Sequence, residues 1–425
     1  ITKHLARMLT EKYHNSSTEV FTIRAGMSSE YRRIHDLPKC REINDLHHAK
    51  DAYLAAVLAQ YVKIRYPKLD NAFIYGEYMK FKSKRQTDTD RSSFILASMN
   101  YDLTNTETGE IIWQSKTARD IIDRTMKYND CLITKKTEIG DNQFYDQTIY
   151  GKNSGATMIA RKANLPVDKY GGYSGRKAAY FMAINYLKQV RNKDVSVNEI
   201  VSVPAQIYTL EKTRSDSINE YISNNYKQAT VLLPKIPINQ KIEYEGNEQF
   251  IVGSSEVTNA KQLKLTYDIE YAVAIALKRG IPHVTISEEQ AKEDDNLRDK
   301  RAKQIEKRDK VISGIERFWE VYTDKLSSQY QQFGSAVEKA KAASSKYQAM
   351  SVDDKIKTIG LVLVATHSGS GRVDMKKNFP KLQLPSDFGR MIGKNLDPTK
   401  LTFVYESITG LHRRKLDGKT LEQGR

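Results

Sequence analysis

Arg41 to Val57 reads REINDLHHAKDAYLAAV, two histidines and an aspartate set inside an otherwise alanine-rich apolar helix. At helical spacing His48 and Asp51 leave the same face about 5–6 Å apart at Cβ, while His47 points about 100° away. A carboxylate binds Mg²⁺ through oxygen and a neutral imidazole accepts a proton near neutral pH, so the pair suits a site that holds a metal and activates a water. The same spacing fits a half-buried histidine hydrogen-bonded to Asp51, a structural pair that imitates a site. Ala49, Ala52, Ala55, Ala56 and Ala59 thin the helix enough for it to lie close on a sheet, and Leu46, Tyr53, Leu54, Val57, Leu58 and Tyr61 add apolar bulk.

Outward from this segment, the helix is expected from about Asn44 to Ile64, ending before Tyr66-Pro67 because proline disfavours helix in the residue before it. Ile1 to Tyr13 and the stretch around Ser28 to Ile34 read as short amphipathic helices, and Glu19 to Ile23 alternates like a strand. Ser92 to Asn100 and Ile111 to Trp113 read as strands, and Thr117 to Tyr128 as a helix. This first region is a mixed α/β fragment with too few strands for a complete sheet.

From about Glu138 the texture changes, with more Gly, Asn and Tyr and short alternating runs. Lys241 to Glu245, Gly246-Asn247 and Glu248 to Val252 read as a β-hairpin. Ser287 with Gln290 makes a capping box before an apolar stripe running Ile305, Ile312, Ile315, Trp319, Tyr322, Leu326, Tyr330, Phe333, Val337. A further helix starts at Ser351, and the end is strand-rich: Lys381 to Leu384, Leu401 to Tyr405 and Leu411 to Leu416, with a turn at Ser407 to Gly410. The expected domains are 1–137 and 138–425, the second divided at about 235 into 138–235 and 236–425.

A chain of 425 residues is long enough for two or three cores. It contains no apolar run of membrane-spanning length and opens on Ile1 without a secretory signal. Two cysteines, Cys40 and Cys131, make neither a metal-ligand pattern nor a disulfide framework, which suits a reducing cytoplasm. Charge says more: 68 Lys+Arg against 52 Asp+Glu gives +16, which calls for a polyanionic partner such as nucleic acid. The cations are dispersed through folded segments, an arrangement suited to tracking phosphates. A few of the 25 tyrosines are available to stack on bases.

The opening string resembles the third RuvC segment of the type II CRISPR effector nuclease family, RNA-guided DNA endonucleases whose ribonuclease H-like domain is split into three pieces. YPKLDNAFIYGEY (Tyr66 to Tyr78), ETGEIIW (Glu107 to Trp113), KKTEI (Lys135 to Ile139), MIARK (Met158 to Lys162), KYGGYSG (Lys169 to Gly175) and SITGL (Ser407 to Leu411) are similar to the family in the same order. The resemblance implies an α+β, mixed fold: a partial ribonuclease H-like α/β domain followed by a strand-rich PAM-interacting domain with helical insertions. It implies two Mg²⁺ ions, with Mn²⁺ as a substitute, clamping the attacking and leaving oxygens. His48 would be the general base, and Asp51 and His48 would be the metal-site residues. The family's earlier aspartate and glutamate segments and its HNH nuclease are not found here. The chain is therefore expected to be the C-terminal part of a longer polypeptide, inactive alone, in a monomeric ribonucleoprotein of the bacterial cytoplasm. Its partners would be a guide RNA, a target duplex bearing a PAM, and the N-terminal part of the same protein, with no membrane. At Lys50 some relatives carry another histidine, and a solvated lysine is expected.

The family reads its PAM by arginine in the major groove and delegates the remaining specificity to guide pairing. A guanidinium matches guanine O6 and N7 with two parallel hydrogen bonds. Counting back from SITGL puts SDFGRMIGK, Ser386 to Lys394, at the base-reading position. Arg390 stands alone there, since Gly389 and Met391 flank it, so it would read a single guanine, with Lys394, Ser386 or Gln383 adding a contact. QFYDQTI, Gln143 to Ile149, resembles the loop that grips the target-strand phosphate, which makes Thr148, with Asp146 and Gln147, the phosphate-binding candidates. A plain polar surface turn fits the same string. Arg161, Lys162, Lys169 and Arg176 are candidate RNA or DNA backbone contacts. The rival reading is a catalytically silent basic nucleic-acid-binding protein.

Overall fold

The computed structural model describes residues 2–23, 25–67, 94–129, 134–141, 143–146, 148–155, 158–244, 246–329, 334–368, 382–384 and 396–421. Packing divides the chain into two compact units: Ile1–Cys131 with Lys264–Phe318, and Leu132–Leu263 with Trp319–Arg425. Residues 264–318 thus pack with the first segment, although texture along the chain groups them with what precedes them. The described residues mix helices with small antiparallel sheets, as the expected α+β class requires.

The first unit is mainly helical: α1 (Thr2–Tyr13), α2 (Ala25–Ile34), α3 (His47–Arg65), α4 (Phe94–Ser98), α5 (Ser115–Lys127), α6 (Tyr267–Arg279), α7 (Glu288–Glu293) and the part of α8 (Asp295–Gln329) up to Phe318. Ala and Leu, both strong helix formers, fill α3. Tyr66 ends it at φ −133°, its N–H closing on Val62 O at 2.8 Å, as expected before Pro67. Leu54, Leu58, Tyr61 and Val62 form the buried stripe, packed with Met27 and Tyr31 of α2, Ile95, Leu96 and Met99, and Ile122 and Met126 of α5. Each fully buried leucine contributes about 1.5–3 kcal/mol.

Three expectations change in this unit. The helix begins at His47, since Asn44 Oδ1 accepts from Leu46 N–H at 3.1 Å and turns the chain just before it. Residues 19–23 form no strand; Phe21 and Ile23 pack directly on the core. Residues 94–98 are helical, because one turn aims Ile95, Leu96 and Met99 at the same core. Strands β1 (Leu103–Thr104) and β2 (Ile111–Trp113) make a small two-stranded sheet in this unit. Ala49, Ala52 and Ala56 are exposed, so the thin face of α3 lies on no sheet among the described residues.

Helices α6 and α8 approach closely. A Cβ on Gly314 would stand 2.3 Å from Ala272 Cβ, so this crossing requires glycine.

Among the described residues, the second unit holds three antiparallel sheets. β3 (Ile149–Tyr150), β4 (Ile159–Ala160) and β5 (Gly172–Tyr173) are ordered β3-β5-β4. The long hairpin β6 (Ala178–Val190) and β7 (Lys193–Pro204) is joined by β8 (Lys227–Ile236) in the order β7-β6-β8. Arg191 and Asn192, at φ 49° and 64°, make its two-residue turn. Helices Ala205–Glu211 and Ser217–Asn225 connect β7 to β8, and Ala205 and Ile222 join the core of that sheet with Tyr180, Met182 and Val203.

The third sheet has the order β11-β10-β9-β12-β13, from β9 (Gln240–Tyr244), β10 (Asn247–Gly253), β11 (Glu256–Asn259), β12 (Thr402–Glu406) and β13 (Arg413–Asp417). The expected hairpin is present one residue out of place: Asn247 pairs with Tyr244 inside the ladder, and Gly246 takes the positive φ of 77°. The capping box at Ser287 and Gln290 is formed. The helix after Ser351 runs Val352–Ser368, with Ser351 Oγ accepting from Asp354 N–H at 3.2 Å. Leu382 to Leu384 form no strand.

Candidate active site

The first turn of α3 is built by local hydrogen bonding. His48 N–H donates to Asp45 O at 3.0 Å, Lys50 N–H to Leu46 O at 3.1 Å, and the His47 Nδ1 lies 2.9 Å from Asn44 O. His47 is buried, and burial holds its imidazole below the usual histidine range, so it is neutral at physiological pH. His48 is exposed, with its ring centroid 4.1 Å from that of His47. It is therefore not the half-buried histidine of the structural alternative.

Asp51 is half-buried, and both of its oxygens are held by cations: Arg32 Nη2 on Oδ1 and Lys39 Nζ on Oδ2. Burial would raise its pKa, but the Lys39 hydrogen bond and the Arg32 charge outweigh this and keep the carboxyl below the ordinary carboxylate range. Asp51 is therefore ionised, with 35% of its side chain exposed. Neither cation was foreseen, because Arg32 and Lys39 precede Asp51 by 19 and 12 residues and only the packing of α2 and its following loop against α3 brings them together.

Lys50 is not solvated. Its Nζ lies 3.0 Å from Glu270 Oε1, and the two side chains are only 13% and 16% exposed. The first turn of α3 is thus bounded by charge on two sides.

Among the described residues, Asp45, His47 and His48 form a group able to hold a metal ion, with donor atoms all within 4.8 Å of one another. Two imidazoles and one carboxylate favour late first-row ions over Mg²⁺, which prefers oxygen. Asp51 lies outside that trio; it is an ionised, partly exposed carboxylate, the donor type a hard divalent ion takes, with Arg32 and Lys39 on its two oxygens. Cys40 is buried with Sγ 3.2 Å from Glu42 Oε2, and burial pushes its thiol up to about 12, so it is inert.

The other candidates are scattered. Asp146 Oδ1 pairs with Lys177 Nζ at 2.6 Å, Ser174 Oγ donates to its Oδ2 at 3.3 Å, and its backbone N–H donates to Gly175 O at 3.0 Å. The Lys177 hydrogen bond keeps its carboxyl below the ordinary range. Its N–H is therefore engaged by Gly175, outside the Gln143 to Ile149 loop. Thr148 is exposed, as are Arg161, Lys162, Lys169 and Arg176, and Lys169 lies over the Tyr170 ring at 5.2 Å. Gln383 is exposed at φ 54°, with Oε1 accepting from Lys346 Nζ at 2.6 Å. Gln147, Ser386, Arg390 and Lys394 lie outside the described residues. None of the described helices is long and apolar enough to cross a membrane.

Residues 1–138 match the family model for the Cas9 RuvC domain, and residues 142–414 match that for the PAM-interacting domain of CRISPR-associated endonuclease Cas9. The chain belongs to the Cas9 family. It is 30% identical over 279 residues to the CRISPR-associated endonuclease Cas9 of Listeria innocua serovar 6a, a match covering 62% of this chain and 20% of that protein. It is 28% identical over 286 residues to the Cas9 of Streptococcus mutans serotype c, covering 62% of this chain and 21% of that one. The match spans about a fifth of the length of these Cas9 relatives. Helix α3 lies in the Cas9 RuvC match, whereas α6 and α8 lie in the PAM-interacting match, although α6 and most of α8 pack in the same unit as α3.

Proposed function

We propose that this chain serves as the C-terminal portion of an RNA-guided DNA endonuclease, in which the RuvC part, 1–137, cuts the non-target strand and the part 138–425 reads the PAM duplex. The observation that carries this reading is the first turns of α3, where an ionised, half-exposed Asp51 and an exposed His48 share a helix inside the RuvC match. Asp51 would hold a divalent ion, Mg²⁺ or Mn²⁺, and His48 takes a proton from the attacking water at its open ring edge. A bound divalent ion there supplies positive charge for the phosphate oxygens. Arg32 and Lys39 keep Asp51 charged and oriented. His47, buried and hydrogen-bonded to Asn44, orients its neighbour and is not a second base. One positioned carboxylate is too few for two ions, so the chain by itself does not cut DNA.

On the same reading the guide RNA, a PAM-bearing duplex and the remaining N-terminal polypeptide are the partners of a monomeric ribonucleoprotein. Arg390 reads one guanine, with Lys394, Gln383 or Ser386 assisting. Thr148 and Gln147 hold the adjoining phosphate, and Asp146 braces that loop through Lys177 and Gly175. Arg161, Lys162, Lys169 and Arg176 contact nucleic-acid backbone from exposed positions. The test is strand-resolved cleavage by the complete guide-loaded protein, in which His48→Ala and Asp51→Ala abolish non-target-strand nicking. Arg390→Ala in a PAM-depletion assay relaxes one guanine position. The cation pair capping Asp51 favours a second reading, a catalytically silent nucleic-acid-binding protein. Wild-type nicking by both α3 variants would be its signature.

A further inference from the structure

Among the described residues five polar contacts, the longest between Arg279 Nη1 of α6 and Asp36 Oδ1 at 3.9 Å, tie the segment that closes α2 and opens α3 to helices 220 to 271 residues downstream in the chain. Lys50 Nζ meets Glu270 Oε1 of α6 at 3.0 Å, and Lys278 Nζ of α6 meets Glu42 Oε1 at 2.6 Å. The Tyr271 hydroxyl of α6 donates to Asp36 Oδ2 at 2.5 Å, and Lys307 Nζ of α8 to Asp36 Oδ1 at 2.7 Å. We propose that Glu270 and Tyr271 of α6 are positioning residues for the RuvC site, holding the first turn of α3 at the rotation that His48 and Asp51 require. This rests on the reading of His48 and Asp51 as the nuclease pair.

The geometry argues for rotation as the controlled variable. At 100° per residue, Lys50 and Asp51 fall on opposite sides of the stripe that buries His47 and Leu54. Lys50 is tied to α6 and Asp51 to α2 and its following loop, so turning α3 either way stretches one tether. Side-chain tips ride at about 5–6 Å from a helix axis, so a turn of about 10° moves them by about 1 Å. A displacement of that size costs a reaction up to about 100-fold.

Asp36 extends the control to the other side. It stands at φ 50° in the turn that ends α2, where Leu37 N–H returns to Arg32 O at 2.8 Å. It therefore lies between Arg32 and Lys39, the two residues whose cations hold Asp51. Tyr271 fixes that turn through its hydroxyl while its own ring is buried and covered by Lys310 Nζ at 4.4 Å from the centroid. Helix α6, which belongs to the PAM-interacting match, thus reaches both flanks of the metal-binding turn.

The test uses the full-length guide-loaded protein in four forms: Glu270→Gln, Tyr271→Phe, the exchanged pair Lys50→Glu with Glu270→Lys, and His48→Ala as reference. Single-turnover non-target-strand cleavage, Mn²⁺ affinity by electron paramagnetic resonance, and target-duplex affinity are read on each. Glu270→Gln and Tyr271→Phe should slow cleavage and weaken Mn²⁺ binding by about 10- to 100-fold, the range for groups that orient a metal ligand. Duplex affinity should hold, and the exchanged pair should recover most of the loss. Should Glu270→Gln not fold, Tyr271→Phe, which deletes one hydroxyl, carries the test alone. Wild-type cleavage and Mn²⁺ affinity in these variants, with or without a lower melting temperature, while His48→Ala is inactive, overturns the positioning role and leaves the nuclease reading standing. Normal nicking by His48→Ala overturns the nuclease reading, and the positioning role with it.

Discussion

Replacing Gly314 with alanine sets two effects of opposite sign against each other. In an isolated helix the change is favourable by about 1 kcal/mol, because glycine is that much the poorer helix former. In this fold the new methyl would sit 2.3 Å from Ala272 Cβ, with Asp268 O at 3.6 Å, inside the crossing of α6 and α8. Carbon atoms pack at about 3.5–4.0 Å, so the helices must separate by more than about 1 Å, an overpacking in the upper part of the usual range, about 2–3 kcal/mol. The steric effect wins, and the net loss should be about 1–2 kcal/mol. With a urea m-value of about 2 kcal/mol/M, that moves the midpoint of the first unfolding transition down by about 0.5–1 M. Circular dichroism at 222 nm on the purified chain reads the shift. Adding Ala272→Gly, which moves the methyl to the facing helix, should restore most of it. A single Gly314→Ala variant that unfolds at higher urea than the parent would refute the close crossing, because only the helix-propensity gain would then remain.

Leu58 is fully buried in the α3 stripe, so Leu58→Ala should lose about 2–5 kcal/mol in the same assay. Lys241 and Glu406, 5% and 8% exposed and 2.5 Å apart, form a buried pair across β9 and β12. Lys241→Met alone should destabilise by about 3–5 kcal/mol and the double variant Lys241→Met with Glu406→Leu by far less, because the cost lies in the stranded charge; equal losses by calorimetry would contradict this. Glu42 is held down to about 2: burial would raise it, but hydrogen bonds from Lys278 and Cys40 prevail. A carboxyl depressed in the folded state contributes stability that is complete above its ordinary value near 4.5 and disappears as pH falls toward about 2. Asp36 and Asp51 act in the same direction. Thermal midpoints should therefore fall with acid across that window, and Glu42→Gln should flatten the fall; an unchanged slope would count against the pairing.

What the sequence shows of this protein is its local order. The stripe Leu54, Leu58, Tyr61, Val62 is visible at helical spacing, as are the capping box at Ser287 and the Pro67 stop. The hairpin β6–β7 is not, for two reasons. Residues 179–184 are all buried, so no period of two shows, and its turn uses Arg191-Asn192 rather than a pair ending in glycine. Short apolar runs such as 94–98 do not distinguish strand from helix until a core decides. At the candidate site the same division holds. His48, Asp51 and their neighbour His47 can be picked out along one helix, whereas the cations on Asp51 and the Glu270 partner of Lys50 come from the tertiary fold. Lys50 looks like a surface lysine because its acid lies 220 residues away.

The most direct measurement is the rate of non-target-strand nicking by the complete guide-loaded protein with Asp51→Asn, alongside its Mn²⁺ affinity and duplex affinity. This substitution keeps the shape of the side chain and removes the charge that Arg32 and Lys39 enclose. The account predicts that nicking is lost and Mn²⁺ binding weakened while the duplex is bound as before. Nicking at the parental rate with unaltered Mn²⁺ binding would contradict it.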